Sequence, residues 1–212
     1  MNLVSEEIEN YCTTHSTNEH SILQQLQRET FAKVLMPQML SGHLQGAFLN
    51  HFVKSIQAQC ILEIGTYTGY SALCMAMALP ANGRLITIDI NEELETLCRR
   101  YFEMAGQAQK IDYRLGDASE LLPSLYEKFD LVFIDADKKN YSLYYDMVID
   151  KTKTGGYILA DNVLWSGKVL SENPDKDTAA LQAYNHKLKN DPRVEVFILP
   201  LRDGISIARK IA

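Results

Sequence analysis

From residue 60 to the C-terminus, short apolar runs alternate with amphipathic stretches, and this rhythm restricts the fold more than any other feature. The runs Cys60–Ile64, Leu85–Ile90, Ile111–Leu115, Leu131–Ile134 and Tyr157–Ala160 read as strands. Several are apolar almost throughout, as central parallel strands covered on both faces must be. Helix-like stretches lie between or after them: Ser71–Leu79, Glu92–Ala105, Ser119–Lys128, Tyr141–Lys151 and Thr178–Asn190. This order predicts an α/β fold, a doubly wound sheet with right-handed crossovers. The ending breaks the rhythm. Val194–Leu199 and Ile205–Arg209 are separated only by Pro200 to Gly204, too few residues for a crossover helix, so these two strands must run antiparallel. Spacing alone therefore predicts a mostly parallel sheet closed by one reversed strand.

The first part of the chain differs. Leu3–Thr14, Glu19–Val34 and Leu44–Ile56 read as helices, with Pro37 breaking the run between the second and third. No low-complexity linker follows them. Residues 1–212 are therefore expected to form one domain, with helices in 1–57 packed on an α/β core in 58–212. A length of 212 residues suits one substantial core. The net charge of −6 argues against a protein that wraps nucleic acid, which needs clustered Lys and Arg. Short basic pairs such as Lys138-Lys139 and Lys187/Lys189 read as solvated helix faces. No stretch approaches the roughly 20 apolar residues that span a bilayer, and the start is polar, so no membrane association and a cytoplasmic location are expected. Cys12, Cys60, Cys74 and Cys98 have no CxxC spacing and read as reduced core residues.

Ligands in open parallel sheets bind beyond the carboxyl ends of the strands. The first β-α turn here carries Gly65 and Gly69 before a helix that begins near Tyr70 or Ser71. Gly65 permits close backbone approach, and the following helix offers free N–H groups. Asp89, at the end of the next strand, can accept from both hydroxyls of a ribose. Gly116-Asp117-Ala118 follows the third strand, where an adenine ring could stack. The loop is not GxGxxG, which disfavours a dinucleotide. Glu63, before the turn, suits a cationic cofactor end or the network that orients one.

A second constellation lies at the same rim. Asp135 ends the fourth strand within FIDADKKNY, and Asp161 and Asn162 end the fifth within LADNVLWSGKV. Two carboxylates and an amide oxygen are hard ligands, suited to Mg²⁺ or Ca²⁺ and poor for zinc. A strand-end Asp more often caps a helix, and Asp137 or Lys138 could simply open the next one. An Asp-Asn pair adjoining the rim, opposite a second acidic cluster, is harder to explain as capping.

Taken in order, LEIGTYTGYSAL, LITIDIN, FIDADKKNY, LADNVLWSGKV and the final LPLRDGISIARK resemble the cation-dependent O-methyltransferase family, which includes caffeoyl-CoA and catechol O-methyltransferases and bacterial relatives. The resemblance runs from about Met39 to the C-terminus. It implies the Rossmann-like class I methyltransferase fold of seven strands and an S-adenosylmethionine site matching Ser41, Glu63, Gly65, Tyr67, Ser71, Asp89 and Ala118, with Asp135 and Asp137 beside it. It also implies a divalent cation, Mg²⁺ first and Ca²⁺ or Mn²⁺ as alternatives, on Asp135, Asp161 and Asn162. Lys138 matches the family's general base, and a homodimer is expected. Two departures from the plant caffeoyl-CoA enzymes point away from a CoA-ester acceptor. Residues 40–46 lack the acidic character seen there, and Ser166 stands where those enzymes carry an acceptor-contacting asparagine.

The expected reaction is transfer of a methyl group to one hydroxyl of a vicinal dihydroxy phenolic small molecule. Trp165, Met39 and the N-terminal helices are candidate pocket walls, with ordinary core packing as the competing explanation. The competing functions are an RNA or protein methyltransferase of the same fold, a binding module that keeps the nucleoside pocket, and, last, an NAD-dependent oxidoreductase.

Overall fold

The computed structural model describes residues 4–212. Its strands are β1 Cys60–Ile64, β2 Arg84–Asp89, β3 Ile111–Leu115, β4 Phe129–Ile134, β5 Thr152–Ala160, β6 Val194–Leu199 and β7 Ile205–Lys210. They form one sheet in the order β3-β2-β1-β4-β5-β7-β6. The pairs among β1 to β5 are parallel, and β7 is antiparallel to both β5 and β6. The reversed strand therefore lies inside the sheet, and the hairpin's first arm, β6, forms the edge. Strand order reverses between β1 and β4, which opens a crevice at their carboxyl ends.

Eight helices accompany the sheet among the described residues: α1 Glu6–Thr14, α2 Ser21–Lys33, α3 Gly42–Ser55, α4 Tyr70–Ala76, α5 Glu95–Met104, α6 Ala118–Leu121, α7 Tyr141–Ile149 and α8 Lys176–Asn190. Alternate strand residues face opposite sides. Ile61, Leu131, Phe133 and Leu159 therefore join Leu26 of α2, Leu49 of α3, Leu73 of α4 and Phe102 of α5 in one core. Leu62, Ile64, Val132, Ile134 and Ile158 join Tyr145 of α7 and Leu181 of α8 in the other. The N-terminal helices α2 and α3 thus complete one layer of the α/β core. No described helix is long and apolar enough to cross a membrane.

Most departures from the sequence reading are at element ends. The expected helix over Ser119–Lys128 is only α6 followed by a 3₁₀ turn at Leu122–Ser124. Pro123 has no N–H to continue an α-helix but fits the start of a tight turn. Helix α4 stops at Ala76, short of Leu79, with Pro80 just beyond, and the first turn of the Glu92–Ala105 stretch is 3₁₀. Helix α1 begins at Glu6 because the Ser5 side chain accepts from Ile8 N; Leu3 lies outside the described residues. The cysteines are free, but only Cys74 and Cys98 are buried. Cys12 is exposed on α1, so the core reading fails there: that helix buries none of its residues.

Candidate active site

The strand register brings the chemistry-bearing residues to one rim. Ile64 pairs with both Ile88 and Ile134, and Ile134 pairs with Ala160. The ladder continues one step beyond: Gly65 N donates to Ile88 O at 2.9 Å, Asp135 N to Ile64 O at 2.8 Å and Asp161 N to Ile134 O at 3.0 Å. Gly65, Asp135 and Asp161 are therefore fixed side by side by backbone bonds. Gly116 N likewise donates to Asp89 O at 2.8 Å, which brings the loop before Ala118 alongside.

The turn after β1 has three left-handed residues, Gly65 (φ +99°), Tyr67 (φ +49°) and Gly69 (φ +86°). Asp89 holds this turn. Its Oδ2 accepts from Thr66 N at 2.9 Å and Tyr67 N at 2.7 Å, and its Oδ1 accepts from Asn91 N at 2.8 Å. The Tyr67 hydroxyl reaches the carbonyls of Leu35 and Met36, at 3.0 and 3.2 Å, and so ties the turn to the chain that follows α2. Behind the turn, Glu63 is fully buried. Ser71 Oγ donates to one of its oxygens and Thr87 Oγ1 to the other, both at 2.5 Å. Burial pushes the Glu63 carboxyl up to about 8; the Asp135 and Asp89 charges act in the same direction and the two hydroxyls against it.

Across the crevice, Asp161 is only 2% exposed. Its Oδ2 accepts from Gln45 Nε2 at 2.7 Å and its Oδ1 from Asn162 N at 2.7 Å. Burial first, and then the nearby Asp135 charge, push its carboxyl up to about 7. Asp135 Oδ1 accepts from Lys138 Nζ at 3.2 Å. The same ammonium donates to Tyr141 Oη at 2.7 Å, and that hydroxyl donates to Asp161 O at 3.0 Å. Lys138 also lies 4.9 Å from the Tyr141 ring centroid and 5.9 Å from that of Trp165.

The donor set fits a hard divalent cation. Burial first and the Asp135 charge second disfavour the Asp161 anion, Asn162 follows it in the chain as a further oxygen donor, and a positive ion would offset both effects. Among the described residues no group of three or more His, Cys, Asp or Glu side chains gathers to hold a metal. An ion at Asp135, Asp161 and Asn162 would therefore draw its other ligands from water and substrate oxygens.

The remaining sequence candidates are placed as follows. Ser41, 5% exposed, precedes α3, and its carbonyl accepts from the Arg202 guanidinium. Ala118 is buried at the first position of α6, which Asp117 caps by accepting from Ser119 N at 2.7 Å. Asp137 accepts from Asn140 Nδ2 at 2.7 Å and the Tyr144 hydroxyl at 2.6 Å, and so fastens the start of α7. Sequence reasoning missed Gln45, Tyr141 and Arg202. Tyr141 carried a signal, three residues after Lys138 and one helical turn away; Gln45 and Arg202 carried none.

Residues 13–211 match the family model described as O-methyltransferase. Caffeoyl-CoA O-methyltransferase 1 of Arabidopsis thaliana is 39% identical over 199 residues, covering 87% of this chain and 76% of that protein. The crystal structure of an O-methyltransferase from Bacillus cereus in complex with SAH superposes with a TM-score of 0.90 at 28% identity, covering 96% of this chain and 97% of that one. The O-methyltransferase TomG from Streptomyces achromogenes, solved in complex with SAM, gives a TM-score of 0.90 at 26% identity, covering 97% and 96%.

Proposed function

The chain belongs to the O-methyltransferase family, and from that membership we propose that it transfers a methyl group from S-adenosylmethionine to one hydroxyl of a vicinal dihydroxy phenol, in dependence on a divalent cation. The observation that carries this reading is the meeting of Asp135, Asp161 and Lys138 at adjoining strand ends beside the β1 turn. Asp135, Asp161 and Asn162 would hold the ion, Mg²⁺ first, with Mn²⁺ or Ca²⁺ as alternatives. When bound, such an ion supplies Lewis acidity that favours the phenolate form of the acceptor. When bound, S-adenosylmethionine supplies the methyl group.

The protein's own residues do the rest. Asp89 and Gly65 shape the turn that would receive the nucleoside, with Ala118 flanking it, while Ser41, Tyr67, Ser71, Glu63, Asp135 and Asp137 complete the surround. Lys138 Nζ, held by Asp135 and Tyr141, is the atom that would take the phenolic proton in its free-amine form. Trp165 would form one wall that excludes water from the bound acceptor, which favours a reaction in which phenolate and sulfonium charges disappear together; Met39 is 56% exposed and forms no such wall by itself. Placement of the acceptor oxygen in line with the methyl group then supplies much of the acceleration. The protein is read as one methyltransferase domain acting as a homodimer in the cytoplasm.

The test is a panel of catechols, caffeoyl esters and hydroxylated flavonoids with labelled S-adenosylmethionine, in Mg²⁺ and in chelator. Methylation of vicinal diphenols that disappears in chelator is expected. Undiminished turnover in chelator overturns the cation, and methylation of monophenols at equal rate overturns the acceptor class.

A further inference from the structure

The Arg202 side chain belongs to the loop joining β6 to β7, far in sequence from every residue given a role above. Its backbone is left-handed, with φ +51°, a conformation that favours glycine. The guanidinium reaches α3, where it donates to the Ser41 carbonyl and, at 3.3 Å, to Gln45 Oε1. Gln45 is fully buried. Its Nε2 donates to Asp161 Oδ2 at 2.7 Å.

The chemistry of the three groups fixes the direction of this chain. A guanidinium only donates, and Asp161 as a cation ligand is ionised and only accepts. The Gln45 amide between them can satisfy both in one orientation alone, with oxygen toward Arg202 and nitrogen toward Asp161. We propose that Arg202 and Gln45 are positioning residues for the cation site: Arg202 fixes the Gln45 amide, and Gln45 in turn aims the Asp161 carboxylate. This rests on the reading of Asp161 as a cation ligand. It also gives α3 a definite task at the rim, since Gln45 is its contact with Asp161. The neighbouring turn residues brace the other side: Asp203 O accepts from Leu164 N at 3.0 Å and Gly204 O from Val163 N at 3.0 Å. The β6–β7 loop therefore grips both the residues that follow Asn162 and the helix that contacts Asp161.

The experiment measures Mn²⁺ dissociation constants by electron paramagnetic resonance, without acceptor, for the full chain and for Gln45→Met, Arg202→Gly and the double variant. S-adenosylmethionine affinity and Tm are measured alongside. Gln45→Met is expected to weaken Mn²⁺ about tenfold, the usual scale for residues that orient a metal ligand. Arg202→Gly suits the left-handed backbone, which offsets part of the cost of unpairing the buried Gln45 oxygen. The protein is therefore expected to stay folded with a modestly lower Tm while Mn²⁺ weakens about threefold, the smaller share of a group one step further from the ligand. In the Gln45→Met background, Arg202→Gly is expected to change nothing more, because its influence passes through Gln45. S-adenosylmethionine affinity is expected to stay within about twofold in Gln45→Met, whose hydrogen-bond partners Asp161 and Arg202 lie outside the cofactor surround.

A field effect predicts the opposite sign: loss of the Arg202 charge would tighten Mn²⁺ in both backgrounds, and that result overturns the relay. Unchanged Mn²⁺ affinity in folded Gln45→Met also overturns it. No Mn²⁺ binding by the unmodified protein overturns the cation reading itself, a failure visible before any variant is compared.

Discussion

Gly65 lies directly against the backbone of Asp135: a Cβ placed on Gly65 would stand 1.9 Å from the Asp135 carbonyl oxygen and 2.6 Å from its carbon. The turn that would take the methyl donor and the rim that would take the acceptor are thus built on one backbone contact. It exists because β1 and β4 are sheet neighbours and the ladder runs on from Ile64 O to Asp135 N.

Gly65→Ala should therefore do more than strain a φ of +99°. It must push β1 and β4 apart at their carboxyl ends, and left-handed strain plus overpacking together should cost about 3–5 kcal/mol. Urea unfolding measures this. A loss under about 0.5 kcal/mol, the range of an ordinary surface change, would contradict so close an approach.

The pH dependence of stability should carry the mark of Glu63. Its carboxyl keeps a proton in the native state up to about pH 8, while an ordinary glutamate in the unfolded chain gives it up near 4.5. Between these values the native state binds the extra proton, so the contribution is full below about 4.5 and is lost as pH rises toward 8. The slope from one such group is at most about 1.4 kcal/mol per pH unit. Glu63→Gln cannot titrate and should flatten the curve by that amount across the window. Asp161, also held above its ordinary range, contributes to both curves alike. Denaturation midpoints from pH 5 to 8 provide the check, and parallel curves for the two proteins would refute a protonated Glu63.

The alternation of apolar runs was enough to place all seven strands within a few residues and to reverse the last, because strand period and connection length are local properties of the chain. Local reasoning failed where two signals competed. Around Pro123 an amphipathic pattern suggested ten helical residues, yet the missing N–H ended the helix early. The rim was legible because adjoining parallel strands must end together, which brings Asp135 and Asp161 into register whatever the helices do. Gln45 and Arg202 were not. Their partners lie 116 and 157 residues away, and their meeting depends on how α3 and the β6–β7 loop dock on the same sheet. No periodicity in the sequence records that docking.

Asp89 illustrates a role that position alone did not separate from another. A strand-end carboxylate suits a ribose, but here it already accepts three backbone N–H groups of its own surroundings. Asp89→Asn should weaken S-adenosylmethionine about tenfold or more, as charge-assisted bonds to the turn are lost. Calorimetry with the 2′-deoxy form of the cofactor separates the two roles. If Asp89 also holds the ribose, the missing hydroxyl should cost less in the variant than in the unmodified protein. Equal costs in both would leave Asp89 as the anchor of the turn alone.

Lys138 and Tyr141 should act as a unit. Tyr141 is fully buried, and its hydroxyl both accepts from the Lys138 ammonium and donates to the Asp161 carbonyl. Tyr141→Phe leaves that carbonyl without this donor, at a cost of about 1–3 kcal/mol in stability. It also leaves Lys138 held by Asp135 without its second hydrogen-bond anchor, so kcat should fall while KM for S-adenosylmethionine stays nearly constant. Lys138→Met removes the proposed base outright and should lower kcat by roughly 10²–10⁴. If Tyr141 works through Lys138, the double variant should be no slower than Lys138→Met alone. Steady-state kinetics of the three proteins at saturating Mg²⁺ decides it. Losses that multiply in the double variant would mean that the tyrosine hydroxyl contributes to catalysis independently of the lysine.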